Sequence, residues 1–154
     1  MRSPLGASEA VPGARQIAAL SDPDSTTTTQ LQALQDAART RGIRLSIHQI
    51  TSRDEIAPAI DAAKSSGASA LNVMASALLF NNRQIIFRRV AVLRLPAIYQ
   101  WPEMADQDGL LGYGPRIVQL YRDIIARPVI AVLRGTKPAD IPVEQPSVSS
   151  WSSI

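Results

Sequence analysis

Residues 95–115 read LPAIYQWPEMADQDGLLGYGP, and this stretch decides the fold that the whole sequence predicts. Two short apolar runs, AIYQ and GLLGY, lie on either side of a polar turn. Because short runs bounded by Pro and Gly are typical of buried strands, we predict a strand at each run. Tyr99, Trp101 and Tyr113 cluster near the carboxyl ends of these runs. In an open α/β sheet that edge is where small molecules bind.

Strand–helix units precede this stretch, and one further helix follows it. Each predicted strand is a buried apolar run, and each predicted helix carries apolar residues at helical spacing. The predicted strands lie at 16–20, 44–50 and 70–74, and the predicted helices at 26–41, 52–67, 81–93 and 115–134. Alternation of buried strands with helices predicts a doubly wound α/β fold. We expect a mainly parallel sheet of four or five strands with helices on both faces.

Several residues predict where these helices begin and end. Ser25 is the predicted N-cap of the first helix, and Gly42 its left-handed stop. Residues 52–55, Ser-Arg-Asp-Glu, have the spacing of a capping box that opens the second helix. Pro58 lies three positions further on, where a helix interior would lose a hydrogen bond. The second helix therefore either begins at Pro58 or is kinked there.

Composition excludes several classes of protein. The 154 residues are 45% apolar and 19% charged, which is typical of one globular domain. The net charge of +3 comes from scattered Lys and Arg residues, so we expect no nucleic-acid partner. There is no cysteine, which removes disulfides and thiolate chemistry. The N-terminus has no apolar signal-peptide core, and no run approaches the roughly 20 apolar residues of a membrane span.

Catalytic and metal-binding patterns are weak. His48 is the chain's one histidine and has no suitably spaced partner for a catalytic triad. Asp22 and Asp24 flank Pro23, a spacing that fits a turn better than a divalent-metal site. No glycine-rich phosphate loop occurs. We therefore predict a binding protein rather than an enzyme, with no cofactor and no metal.

Polar and aromatic residues stand at the ends of the predicted strands and form the candidate binding site. Aromatic rings supply flat contact area, and helix N-termini supply N–H donors to an anionic group. A purely structural role is the alternative interpretation. The polar side chains would then serve the loops, and the aromatic rings would pack against the core. The predicted ligand-binding residues are Asp22, Ser25, Ser76, Tyr99, Trp101 and Tyr113.

Four segments give the chain a family resemblance. AVPGARQIAALSDPDS, LQALQDAARTRGIRLSIHQI, LLFNNRQIIFRRVAVLRLPAIY and LRGTKPADIPVEQP resemble consecutive blocks of a bacterial substrate-binding protein family of ABC transporters. The resemblance covers about residues 9–146. It implies a periplasmic-binding-protein type 1 fold, in which two α/β lobes close over a small solute by hinge motion. It further implies an ABC permease as partner and a periplasmic location.

Composition and the resemblance together divide the chain. Residues 1–13 become a flexible leader, 14–108 the second, solute-binding lobe, 109–146 a return segment, and 147–154 a disordered tail. The chain departs from the family in lacking the first lobe and the export signal, and in ending soon after VEQP. Pro58 and Pro128 also stand where the family has uninterrupted helix. Without an export signal, we expect a cytoplasmic protein if the chain is made as written.

The helix at 115–134 would pack on the first lobe in the family. Its apolar stripe includes Ile117, Tyr121 and Ile125. Because this stripe would otherwise face water, we expect self-association through this helix as one possibility.

The leading functional hypothesis is therefore one lobe of a solute-binding component, for a solute such as an amino acid or a related compound. A ligand-sensing regulatory domain of the same fold is the first alternative. A flavodoxin-like enzyme and a truncated remnant without ligand binding are the others.

Overall fold

A computed structural model of the chain describes residues 13–107, 111–114, 116–142 and 150–153. The strands are β1 (Gln16–Ser21), β2 (Arg44–Gln49), β3 (Ala70–Val73), β4 (Ala97–Tyr99), β5 (Leu111–Gly114) and β6 (Ser150–Ser153). They form one sheet in the order β2-β1-β3-β4-β5-β6. β1 to β5 pair in parallel with one another, which confirms the predicted, mainly parallel α/β sheet.

β6 was not predicted. It pairs antiparallel with β5, with Gly114 opposite Ser150. The prediction of a disordered tail at 147–154 is therefore wrong for residues 150–153. The predicted leader, residues 1–13, lies outside the described residues except for Gly13.

Helices cover both faces of the sheet. They are α1 (Thr28–Thr40), α2 (Ile56–Ser65), α3 (Ala77–Asn81), α4 (Arg83–Leu93), α5 (Pro102–Ala105), α6 (Ile117–Leu120) and α7 (Arg127–Leu133). Successive β1 side chains alternate between the faces. On one face, Ala38 of α1 packs with Ile17. On the other, Ile60 of α2 and Ile86 of α4 pack with Leu20. Among the described residues, no helix has the length and apolar character needed to cross a bilayer.

The first helix begins later than predicted. Thr27, not Ser25, is the N-cap, because the Thr27 side chain accepts from the Gln30 N–H while Gln30 Oε1 accepts from the Thr27 N–H. The Ser25 hydroxyl donates to Asp22 instead, at 3.0 Å. Gly42 has φ +65°, which confirms the predicted left-handed stop.

The structure shows where the second helix begins relative to Pro58. Ser52 makes no side-chain cap hydrogen bond, and Glu55 accepts from the Thr51 N–H at 2.7 Å. The predicted capping box is therefore wrong, and a 3₁₀ turn, Arg53–Glu55, leads into α2. Pro58 is the third residue of α2, within the first turn, where a backbone N–H has no intrahelical partner. Neither predicted alternative applies, since the helix begins at Ile56 without needing a kink.

The predicted helix at 115–134 forms as α6, a π-helical segment, Tyr121–Ala126, and α7. We call Ile117–Leu133 the return helix. The π-helical segment comes just before Pro128, whose ring and missing N–H interrupt α-helical bonding. Large apolar side chains on this helix are 44% to 81% exposed, and we call them the return-helix face: Val118, Tyr121, Ile125, Val129, Ile130, Val132 and Leu133.

Candidate functional site

A buried carboxylate joins two loops at the carboxyl edge of the sheet. Asp22 follows β1 and is only 6% exposed, and Ser76 follows β3 and is 2% exposed. Asp22 Oδ2 accepts from the Ser76 hydroxyl at 2.6 Å and from the Ser25 hydroxyl at 3.0 Å. Asp22 Oδ1 accepts from the Asp24 backbone N–H at 2.9 Å. We call Asp22, Ser25 and Ser76 the loop brace.

The loop brace keeps Asp22 ionised. The hydrogen bond from Ser76 lowers the pKa of Asp22 most, burial opposes it, and the bonds from Asp24 and Ser25 lower it further. Ser76 also caps α3, because its hydroxyl oxygen accepts from the Leu79 N–H at 3.3 Å. Since three donors within the chain occupy the carboxylate, its clearest role is to hold the β1 and β3 loops together.

Beside the loop brace lies a groove of about 610 Å³ between α3 and the return helix. Phe80 and Trp101 meet edge to face on its wall, with ring centroids 5.1 Å apart. The Arg83 guanidinium lies 4.6 Å from the centre of the Phe80 ring. We call this cavity the aromatic groove; its described lining is Ala77, Phe80, Asn81, Trp101, Ile117, Tyr121 and Ile125. None of these lining side chains is charged, so the groove suits an apolar or aromatic group.

The loop after β4 fixes the return helix beside the groove. Glu103 Oε1 accepts from the Ile117 N–H at 2.7 Å, at the first residue of the helix. Arg116 donates to Asp106 at 2.8 Å. These two contacts tie the start of the return helix to α5 and to Asp106, the residue that follows α5.

Two glycines let α5 sit close to β5. A Cβ at Gly112 would lie 2.7 Å from Pro102 Cα, and a Cβ at Gly114 would collide with the Gln100 carbonyl oxygen. Both glycines are buried. This close approach sets the position of Trp101, which lies between Gln100 and Pro102.

Tyr99 and Tyr113 lie apart from the described groove lining. Tyr99 is fully buried, and its ring meets Phe87 of α4 edge to face at 5.4 Å. Burial raises the pKa of the Tyr99 hydroxyl, which has no hydrogen-bond partner among the described residues. Tyr113 is half-buried in β5, opposite Trp151 of β6 in the strand register.

The structure brings some of the predicted site residues together and places the others apart. Asp22, Ser25 and Ser76 meet in the loop brace, and Trp101 lines the groove. Sequence reasoning missed the α3 wall as part of the site. Its signal was present in the helical spacing of Ala77, Phe80 and Asn81, which places these residues on one side of a helix. That this side faces the return helix depends on contacts distant in sequence.

Groups suited to catalysis or metal binding are sparse in the part of the chain that the structure describes. No cluster of three or more His, Cys, Asp or Glu residues there could hold a metal ion. His48 is half-buried on the edge strand β2, away from the groove lining.

Residues 7–151 match a family model described as ABC transporter substrate binding protein. The chain belongs to this family. The match confirms the resemblance and covers nearly the whole chain. No curated protein sequence matches the chain significantly.

Solved structures share the fold of this substrate-binding family member. A conserved domain protein from Vibrio cholerae has a TM-score of 0.82 and 16% identity over 96% of this chain and 49% of its own. An ABC domain in complex with L-Trp from Streptococcus pneumoniae has a TM-score of 0.78 and 21% identity, over 91% and 47%. A LacI family transcriptional regulator from Bifidobacterium animalis subsp. lactis has a TM-score of 0.66 and 13% identity, over 92% and 54%.

The chain therefore spans about half the length of these structures. At such identities the likeness shows the fold alone. It agrees with the prediction that the chain corresponds to one lobe of a periplasmic-binding-protein type 1 fold.

Proposed function

We propose that this chain is the solute-binding lobe of an ABC importer component and that the aromatic groove receives the solute. The observation that carries the proposal is the placement of Phe80 and Trp101 in a 610 Å³ groove at the carboxyl edge of the parallel sheet. Aromatic rings offer large contact areas at a small cost in conformational entropy, and pockets at this edge are the usual ligand sites of α/β folds.

The lining favours a small organic solute with an apolar or aromatic part, such as an amino acid or a related compound. None of the described lining residues is charged, and Asn81 supplies an amide for hydrogen bonding. The L-Trp complex of the Streptococcus pneumoniae protein supports this solute class. Charged groups of the solute would lie outside the groove, toward a second lobe that buries the remaining solute surface.

The proposal gives the predicted site residues different roles. Trp101 contacts the solute directly. The loop brace positions α3 and hence Phe80, while Tyr99 packs the core beneath the site. Tyr113 supports the strand that leads to the return helix. The proposal also includes an ABC permease as partner and a periplasmic location, which are family properties.

Replacing Trp101 with Ala is expected to weaken solute binding at least about tenfold, equivalent to about 1.4 kcal/mol, because one wall of the groove is lost. Saturation-transfer NMR of the chain with a panel of amino acids that includes L-Trp measures the effect. Val92→Ala is the matched control, because Val92 is 72% exposed on α4 and lies outside the groove lining. Equal binding by the Trp101 and Val92 variants would remove Trp101 from the site.

A ligand-sensing regulatory domain is the second candidate, because LacI family regulators share this fold. Deleting the gene is expected to have a different effect for each of the two candidate functions. For an importer component, deletion lowers uptake of the bound solute. Changed transcription with unchanged uptake would favour the regulatory domain.

A further inference from the structure

Arg83 is a cation held in place beside the aromatic groove. Its guanidinium lies 4.6 Å from the centre of the Phe80 ring, and Phe80 lines the groove. Arg83 Nη1 donates to the Phe80 carbonyl oxygen at 3.0 Å, and Nε donates to Gln107 Oε1 at 2.7 Å. Gln107 lies two residues beyond the end of α5. Three contacts therefore fix one guanidinium between the α3 wall of the groove and the loop after α5.

The charge of Arg83 has no acidic partner in the part of the chain that the structure describes. Both of its hydrogen-bond acceptors are neutral. The carboxylates of the α5 region are engaged elsewhere, since Glu103 accepts from the Ile117 N–H and Asp106 accepts from Arg116.

One donor group of Arg83 stays available. Arg83 is half-buried, yet Nη2 is not buried and donates to no described residue. A partly buried guanidinium whose bonds all go to neutral groups suits an anion, because charge-assisted hydrogen bonds are stronger than neutral ones.

The start of α4 adds positive potential at the same place. Arg83 is the first residue of α4, and Asn81, two residues earlier, lines the groove. The N-cap residue Asn82 makes no side-chain cap bond, because its amide donates back to the Leu78 carbonyl oxygen. The positive end of the α4 dipole therefore adds to the guanidinium charge at the Asn81 end of the groove.

We propose that Arg83 binds a carboxylate of the solute at the Asn81 end of the aromatic groove. The solute is then an aromatic or apolar compound that carries an acid group. This inference rests on the proposed function and adds the residue that distinguishes an acid from a neutral compound of the same shape. The apolar part of the solute contacts Phe80 and Trp101, while Nη2 donates to a carboxylate oxygen at the groove rim.

The fixed geometry of Arg83 favours this role. A free arginine side chain loses rotamer entropy when it binds an anion, whereas Arg83 has already lost it in the folded chain. Lysine keeps the charge but has a single ammonium group in place of the planar fork. Arg83→Lys is therefore expected to bind an acid more weakly than the wild type and more tightly than Arg83→Met.

Two probes of the same shape test the proposal on the full 154-residue chain. Indole-3-propionate and indole-3-propionamide share a ring and a side-chain length, but only the first carries a carboxylate. NMR titration is expected to show that the wild type binds the acid at least about fivefold more tightly than the amide, because a half-exposed charged hydrogen bond replaces a neutral one. Arg83→Met is expected to abolish this preference.

The comparison of probes separates carboxylate binding from a structural role of Arg83. Since Arg83 also holds Phe80, its replacement can disturb the groove, but such a disturbance weakens both probes by the same factor. The ratio of the two dissociation constants therefore reports the carboxylate contact alone. Arg88→Met is the matched control, because Arg88 is exposed on the same helix. This variant should keep the preference for the acid, and circular dichroism checks that each variant is folded.

Three results would overturn the proposal. Equal binding of acid and amide by the wild type would leave the groove as a solute site without a carboxylate contact. A preference for the acid that survives in Arg83→Met would assign the carboxylate to another residue. Equal weakening of both probes in Arg83→Met would reduce Arg83 to a support for Phe80. The first and third of these leave the proposed function intact, whereas binding of neither probe would count against the groove itself and hence against both proposals.

Discussion

Gly114→Ala is expected to lower the free energy of unfolding by at least about 3 kcal/mol, because inserting a methyl group into a packed interior already costs 1–3 kcal/mol and here the neighbour is backbone. The new Cβ would collide with the Gln100 carbonyl oxygen. A flexible side chain could move aside, but a carbonyl between β4 and Trp101 can move only with its strand. Urea denaturation followed by circular dichroism measures the change.

Gly42→Ala is the matched control for this prediction. Gly42 has φ +65° and open space where its Cβ would stand, so the substitution adds only the cost of a left-handed conformation, about 1–2 kcal/mol. A loss at Gly114 no larger than the loss at Gly42 would contradict the close approach of β5 and the Gln100 segment. Trp101 fluorescence should also change in Gly114→Ala, because the segment that carries the indole is displaced.

Asp22→Asn is expected to cost about 2–3 kcal/mol, because hydrogen bonds to a charged group contribute about 1.5–3 kcal/mol and the amide cannot replace both carboxylate oxygens as acceptors. The Ser76 hydroxyl would lose its ionised partner, and the amide NH₂ would face donors from Ser25 or Asp24. Asp24→Asn is the matched control, since Asp24 is exposed on the same loop. Similar losses in the two variants would contradict the loop brace.

The same carboxylate predicts a pH dependence. The pKa of Asp22 is lower in the folded chain than its ordinary value of 3.8. Its contribution to stability is therefore complete above about pH 4–5 and is lost as the pH falls through the folded pKa. The pKa values of Glu55 and Asp61 are also lowered, so Asp22→Asn should reduce the acid sensitivity without abolishing it. An unchanged acid profile in Asp22→Asn would count against an ionised Asp22 in the fold.

Buried strands and glycine stops were the most predictable parts of the fold. The strands β1 and β3 are continuous apolar runs, and parallel pairing with helices on both faces is the common way to bury such runs. Gly42 has a positive φ, as its place at the end of the first predicted helix indicated. These features depend on local backbone preferences and on burial, which a sequence expresses directly.

Hydroxyl partners were harder to predict. Ser25 and Thr27 have side chains equally able to cap a helix. Ser25 is drawn away by Asp22, while Thr27 gains a reciprocal bond with Gln30. The choice depends on a carboxylate that Ser76 also reaches from 54 positions away in sequence. The spacing of residues near Ser25 contains no information about the contact between Ser76 and Asp22.

The candidate site shows the same limit. Tyr99 looked like a residue of the binding edge, but β4 is buried on both faces and turns this ring toward Phe87. Trp101 lies just beyond the strand, where the backbone turns and its ring reaches the groove. The opposite wall comes from the return helix, whose direction follows from Glu103 and Arg116. No periodic pattern encodes such an orientation.

The pairing of β5 with β6 has a consequence for how the chain folds. Each connection between consecutive strands from β1 to β5 contains a helix, whereas Gly114 of β5 pairs with Ser150, 36 positions later in the sequence. Closing a loop of that length costs about 3 kcal/mol in chain entropy. The interactions that offset this cost come from only four residues of β6, which contact one neighbouring strand and the short helix α5. β6 should therefore be the last strand to form during folding and the first whose amide hydrogens exchange with solvent.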